Sequence, residues 1–204
     1  MAGRITAISG PDVTPLVVVI AGPNGAGKST TSQRLLRGAL AVNEFVNADT
    51  IAQGLSAFKP ESVAIAAGRL MLARLRTLAE DRVSFAFETT LAGRNFAPWL
   101  EGLRGSGYRV HLTFFSLSSP DLAVQRVAER VRRGGHHVPE DVVRRRFTAG
   151  LRNFFVLYQH VADTWEMFDN SEPTVPRPIA SGGRGKTPET QDPVGWDALR
   201  ERWQ

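Results

Sequence analysis

The 204-residue chain contains no cysteine. That excludes disulfides, zinc–thiolate centres and thiol nucleophiles, and it suits a reducing compartment. Long apolar runs are missing as well. None approaches the ~20 residues that a membrane helix requires. The segment Met1 to Pro15 holds one arginine and no extended apolar stretch, so it reads as an irregular arm and not as a secretory signal. Lysine is scarce: Lys28, Lys59 and Lys186 stand against 22 arginines. Arginine favours planar, bidentate contacts with phosphate over diffuse attraction to a polyanion. These absences predict a cytoplasmic protein that does not span a membrane.

What remains is a globular composition, 42% apolar and 22% charged, with a net charge of +5. The length suits one well-buried α/β domain. Its most informative stretch is Gly22-Pro23-Asn24-Gly25-Ala26-Gly27-Lys28-Ser29-Thr30, directly after the apolar run Leu16–Ile20. This is the phosphate-binding pattern G-x-x-x-x-G-K-[ST] in its required strand–loop–helix setting. The glycines permit turns that aim successive N–H groups into one concavity. Lys28 supplies an ammonium for the β/γ-phosphates, and the Ser29 hydroxyl is a ligand for Mg²⁺. Gly22 to Thr30 are therefore read as the site for ATP or GTP.

Apolar runs and breakers predict strands at 16–21, 44–47, 83–87, 109–115 and 165–168. Helices are expected at 29–37, after Asp49, at 60–81, 95–102 and 121–133, within 139–163, and at 194–203. On the 60–81 helix, Val63, Ala67, Leu70, Leu75 and Leu78 mark the apolar side. Alternation of strand and helix implies a mainly parallel sheet of about five strands between helices. The Pro/Gly-rich segment 171–193 reads as an extended loop, with a short strand at 177–180. The predicted organisation is a domain over 1–170 and an extension over 171–204.

Three further segments carry chemistry. Phe45-Val46-Asn47-Ala48-Asp49 delivers an acid at a strand end, and Phe87-Glu88-Thr89-Thr90 delivers another. Arginines then cluster at 126, 130, 132 and 133, and at 144–146 and 152, around Gly134-Gly135-His136-His137. In open α/β sheets ligands bind at the carboxyl ends of the strands. Asp49, Glu88 and the phosphate loop should converge there, under an arginine-bearing helical lid at about 126–147. The loop alone is also similar to that of ABC-transporter ATPases, but their Ser-Gly-Gly signature and strand-end Asp-Glu do not occur.

Together these residues resemble the zeta-toxin family of P-loop kinases over residues 16–170. The resemblance implies a P-loop NTPase fold with a small Arg-rich lid, ATP or GTP as donor, and Mg²⁺. The best-known members phosphorylate a hydroxyl of UDP-N-acetylglucosamine, and the toxins are held in check by an antitoxin protein. The family's catalytic Asp falls on Asp49, and its Glu-x-Thr motif on Glu88 and Thr90. Arg126, Arg130 and Arg133 are the lid candidates, with Arg144 and Arg146 behind them. Arg126 is assigned to the nucleotide, and Lys28, Arg130 and Arg133 to the transferring phosphoryl group.

Each assignment has a plainer alternative. Asp49 is a general base or the N-cap of a helix starting at Thr50. Glu88 orients the acceptor, holds Mg²⁺ through water, or caps the next turn. Thr90 bonds substrate or caps Leu91. His136 acts at a lid hinge or is solvated. Phe154, Phe155 and Trp165 read as core. For the whole chain, the leading reading is a kinase of a small acceptor. The alternatives are a kinase of nucleosides or nucleic-acid ends, and an ATP switch that binds nucleic acid through Arg126–Arg152.

Overall fold

The computed structural model describes residues 14–31, 42–57, 59–172 and 174–203. Seven strands form one sheet in the order β2-β3-β1-β4-β5-β6-β7. They are β1 Leu16–Ala21, β2 Glu44–Val46, β3 Phe85–Thr89, β4 Arg109–Ser116, β5 Thr164–Asp169, β6 Arg177–Gly183 and β7 Glu189–Thr190. The first five pair in parallel; β6 and β7 add antiparallel to the β5 edge. β1 is central, registered Val18↔Ala86 on one side and Val18↔His111 on the other. Val17 to Ala21 are almost wholly buried, as an apolar strand covered on both faces must be.

The helices are α1 Ala48–Leu55, α2 Ala64–Glu80, α3 Phe96–Gly105, α4 Pro120–Arg132, α5 Glu140–Asn153, the short α6 Gln159–Val161 and α7 Pro193–Trp203. A 3₁₀ turn, Pro60–Val63, leads into α2, and a π turn, Phe154–Tyr158, joins α5 to α6. Residues 28–31 open a further helix after the phosphate loop. The rest of the expected 29–37 helix lies outside the described residues, as does most of the N-terminal arm.

Three expectations shift. β3 begins at Phe85 and not at Val83, because the Val83 N–H still bonds the Leu78 carbonyl as the chain leaves α2. On α2 the buried side is Ala67, Met71, Leu75 and Leu78, while Leu70 is 48% exposed. Met71 fills the place expected of Leu70. The 171–193 segment is less of a loop than its composition suggests: β6 runs through Gly183 and β7 follows. Glycine suits this strand because a Cβ on Gly182 would lie 2.6 Å from the Trp165 ring. A strand that must lie under an indole looks like a loop in composition.

Aromatic packing fixes the layers. Phe85 and Phe87 both contact Trp99 of α3, at centroid distances of 6.1 and 5.9 Å. Phe114 meets Phe154 at 5.1 Å, and Phe154 meets Trp165 edge-on at 5.4 Å. Burying each such ring contributes about 1.5–3 kcal/mol. Phe154, Phe155 and Trp165 are core, as expected. Trp196 of α7 stacks on Trp165 at 5.3 Å and 15°.

Candidate active site

The strand order reverses around β1, whose neighbours are β3 and β4. Such a switch point opens a crevice at the carboxyl ends of the strands. The phosphate loop leaves β1 there. Gly25 (φ 81°) and Gly27 (φ 74°) are in the left-handed region. Both also accept close neighbours: a Cβ on Gly25 would lie 2.9 Å from the Ala123 carbonyl of α4, and one on Gly27 would lie 2.7 Å from Asn170 Nδ2. The loop is thus backed by α4 and by the end of β5.

Glu88 is the hub of the site. Its Oε2 accepts from Ser29 Oγ at 2.7 Å and from Asn47 Nδ2 at 2.8 Å. Its Oε1 is 3.6 Å from Lys28 Nζ, and the two side chains are only 12% and 6% exposed. Lys28 also donates to the Pro23 carbonyl at 2.9 Å. Burial pushes the Lys28 ammonium below its ordinary pKa; Glu88 and Asp49 oppose that shift, and Arg130 adds to it. The turn after β3 is capped by others: Leu91 N–H bonds Thr89 Oγ1 at 3.1 Å, and Ala92 N–H reaches Thr90 Oγ1 at 3.5 Å. Glu88 therefore has no capping task.

Asp49 has none either. Helix α1 starts at Ala48, and its N-cap is Asn47, whose Oδ1 accepts from Asp49 N–H at 2.7 Å and Thr50 N–H at 3.3 Å. Asn47 was not singled out by sequence reasoning, although its position after β2 and before an acidic first turn is a cap signature. One amide group thus sets α1, and with it Asp49, against Glu88.

The arginines divide by task. Arg126 donates to the carbonyls of Asn170 and Ser171, both at 2.6 Å, while Asn170 Nδ2 donates to the Ala26 carbonyl at 2.7 Å. It ties α4, the phosphate loop and the β5 end into one unit. Arg130 donates to the His136 carbonyl at 2.8 Å and lies close enough to act electrostatically on Lys28. Its Nε, His136 Nδ1 and Asn24 Oδ1 are buried polar atoms without a partner among the described residues. His136 is half-buried and not a freely solvated loop residue. Arg144 bridges α4 and α5 through Asp121 at 2.7 Å and Glu140 at 2.8 Å. Arg133 is exposed at the C-cap of α4 and pairs with no described residue. Arg146, half-buried on α5, lies within electrostatic range of Asp49: burial opposes its charge and Asp49 supports it.

These residues fit a magnesium nucleotide. The loop and the opening turn of its helix offer backbone donors that no intrahelical carbonyl satisfies. Lys28 stands among them. The Ser29 hydroxyl and Glu88 carboxylate form a hard oxygen pair, the donor set that Mg²⁺ shares with substrate phosphates. Among the described residues no group of three or more His, Cys, Asp or Glu is placed to hold a metal alone. None of the described helices is long and apolar enough to cross a membrane.

The profile of a family described as an AAA domain matches residues 17–157. A protein of Haemophilus influenzae Rd, itself uncharacterised, is 29% identical over 126 residues, covering 62% of this chain and 88% of its own. Among solved structures, one from the PezAT chromosomal toxin–antitoxin system of Streptococcus pneumoniae superposes with a TM-score of 0.66. Its identity is 14%, over 97% of this chain and 82% of that one. The AvrRxo1-ORF1:-ORF2 complex with ATP superposes at 0.70 with 16% identity, over 92% of this chain and 64% of that one. The chain belongs to the AAA domain family and has the P-loop NTPase fold.

Proposed function

We propose that the protein is a kinase of zeta-toxin type that transfers the γ-phosphoryl group of ATP or GTP to a hydroxyl of a small acceptor. A sugar nucleotide such as UDP-N-acetylglucosamine is the first acceptor to try. The observation that carries this reading is the Glu88 carboxylate. It engages the phosphate-loop Lys28 and Ser29 on one side and, through Asn47, the helix bearing Asp49 on the other.

Phosphoryl transfer needs positioning and charge neutralisation more than covalent chemistry. Residues 22–30 bind the polyphosphate through backbone N–H groups, and Arg126 anchors α4 beside them. Ser29 and Glu88 would hold Mg²⁺, which when bound neutralises the β/γ oxygens. Lys28, Arg130 and Arg146 concentrate positive charge where the transferring group develops its own. Asp49 accepts the proton of the acceptor hydroxyl. Arg133, a candidate for this set by its spacing, is exposed at the end of α4, and we assign that work to Arg130 and Arg146.

Residues 1–170 are taken as the kinase-like domain and 171–204 as its extension, whose helix α7 packs on the sheet through Trp196 against Trp165. An antitoxin protein is the proposed partner, on the strength of the fold shared with the PezAT system. The test is direct. Wild-type protein with MgATP and a metabolite extract should yield a product heavier by one phosphoryl group. Lys28→Ala should yield none and should lose the thermal stabilisation that MgATP gives the wild type. No stabilisation of the wild type at saturating nucleotide would overturn the reading.

A further inference from the structure

The carboxyl end of β5 reaches the phosphate loop through Asn170. Its Nδ2 donates to the Ala26 carbonyl at 2.7 Å, and its own N–H bonds the Ser116 carbonyl of β4 at 3.0 Å. The peptide between Ala26 and Gly27 is planar and trans, so its carbonyl and its N–H point in opposite directions. Holding the Ala26 carbonyl on Asn170 therefore aims the Gly27 N–H the other way, among the donors that such a loop turns toward phosphate.

The turn that carries Asn170 is held by the C-terminal extension. Asp169 Oδ1 accepts from both the N–H and the hydroxyl of Ser171. The same hydroxyl accepts from the Ser118 N–H at 2.8 Å, and Arg126 donates to the Asn170 and Ser171 carbonyls. The other oxygen, Asp169 Oδ2, is 3.1 Å from Nη2 of Arg177, its cross-strand partner on β6. Arg177 Nη2 also pairs with Asp192 Oδ2 at 3.2 Å. Asp192 stands just before α7, where its Oδ1 accepts from the Gly195 N–H at 3.0 Å. A continuous path of polar contacts thus runs from the start of α7 through Arg177 and Asp169 to Asn170 and the loop. Arg177 is 64% exposed, so one ion pair there would contribute little. Two carboxylates, each only 22% exposed, share this guanidinium and make it a small network.

We infer that Asn170 is a positioning residue for the phosphates of the nucleotide, acting through the Ala26–Gly27 peptide, and that Arg177 of β6 sets it in place through Asp169. The extension is then a working part of the nucleotide site and not only a cover for the sheet edge. The inference rests on the reading of residues 22–30 as the site for ATP or GTP. A turn braced by β4 on one side and β6 on the other orients the peptide before nucleotide arrives, which reduces the ordering that binding must impose.

Calorimetric titration of MgATP and of magnesium tripolyphosphate tests it, in wild type, Asn170→Ala, Arg177→Ala, Arg177→Lys and the Asn170→Ala/Arg177→Ala double variant. Asn170→Ala should weaken both probes by the same factor, ~3–10-fold. Arg177→Ala should weaken both by ~2-fold or more, and Arg177→Lys should restore most of that loss. The double variant should bind no more weakly than Asn170→Ala alone, because the two residues act on one path. In amide NMR spectra the Gly27 resonance should move on MgATP binding to wild type and move less in Asn170→Ala, a change that general loosening of the fold would not confine to that residue. Four results would overturn the inference: wild-type affinity in either single alanine variant; a loss confined to MgATP, which would put the Asn170 side chain on the base; additive losses in the double variant; or a wild type that binds MgATP but not tripolyphosphate. A wild type that binds neither probe would overturn the nucleotide reading itself, so the two failures are distinguishable.

Discussion

Asn47 donates from Nδ2 to the Glu88 carboxylate at 2.8 Å while its Oδ1 caps the helix that carries Asp49. Replacing it separates the two tasks. Asn47→Asp keeps a good cap but turns the donor to Glu88 into a second carboxylate. Turnover should fall by ~10-fold or more, because like charges at this distance push one of the pair toward protonation. Asn47→Ala should lose the cap as well, at ~1 kcal/mol of stability. Steady-state kinetics with chemical denaturation of both variants checks this; unchanged turnover in Asn47→Asp would mean that the Glu88 contact has no role in catalysis.

Asp49→Asn tests the base. The cap is Asn47, so stability should hardly move. As a lost general base, it should lower kcat by ~10²–10⁴ with nucleotide affinity retained. Full phosphoryl transfer by the variant would remove Asp49 from the mechanism.

Arg146 and Arg133 make a matched pair. Arg146→Ala should depress kcat by ~10-fold or more while leaving the nucleotide Kd near wild type, since the carboxylate that supports its charge is Asp49. Arg133→Ala, at an exposed helix end, should turn over normally. The reverse ranking in a kcat comparison would mean that the lid closes with Arg133 inward.

Tyr158 sets the alkaline limit. Its ring is buried, its hydroxyl donates to the Gly93 carbonyl at 2.7 Å, and burial pushes its pKa up to about 12. The unfolded chain releases this proton near pH 10. The unfolded state then binds fewer protons than the native state, so stability falls as pH rises from about 10 to about 12. Below pH 10 the contribution is complete. Tyr158→Phe should flatten this part of a plot of unfolding free energy against pH, relative to wild type, leaving the smaller slope due to Tyr108, whose pKa burial also raises. An unchanged slope would show that Tyr158 ionises freely in the native state.

By itself the sequence determined the elements that depend on neighbours in the chain. Leu16–Ala21 is apolar throughout, so it had to be a central strand. Gly22 to Thr30 needed its glycines for backbone geometry, and the pattern identified the loop before any fold was known. Asp49 and Glu88 stood at strand ends, which in a parallel sheet share one edge. The tertiary structure decided what depends on contacts far apart in the chain. Glu88 meets Ser29 and Asn47, 59 and 41 residues away. No local pattern could show that Asn47 would cap the helix that carries Asp49 and donate a hydrogen bond to Glu88 at once. Nor could spacing rank the arginines. Arg126, Arg130, Arg133, Arg144 and Arg146 are chemically identical, and only the packing of α4 on α5 turned Arg144 to a salt bridge, left Arg133 exposed and half-buried Arg146 within electrostatic range of Asp49. The β6 strand was obscured for the same reason. Gly182 records the closeness of Trp165, a side chain seventeen residues earlier that the local sequence does not reveal.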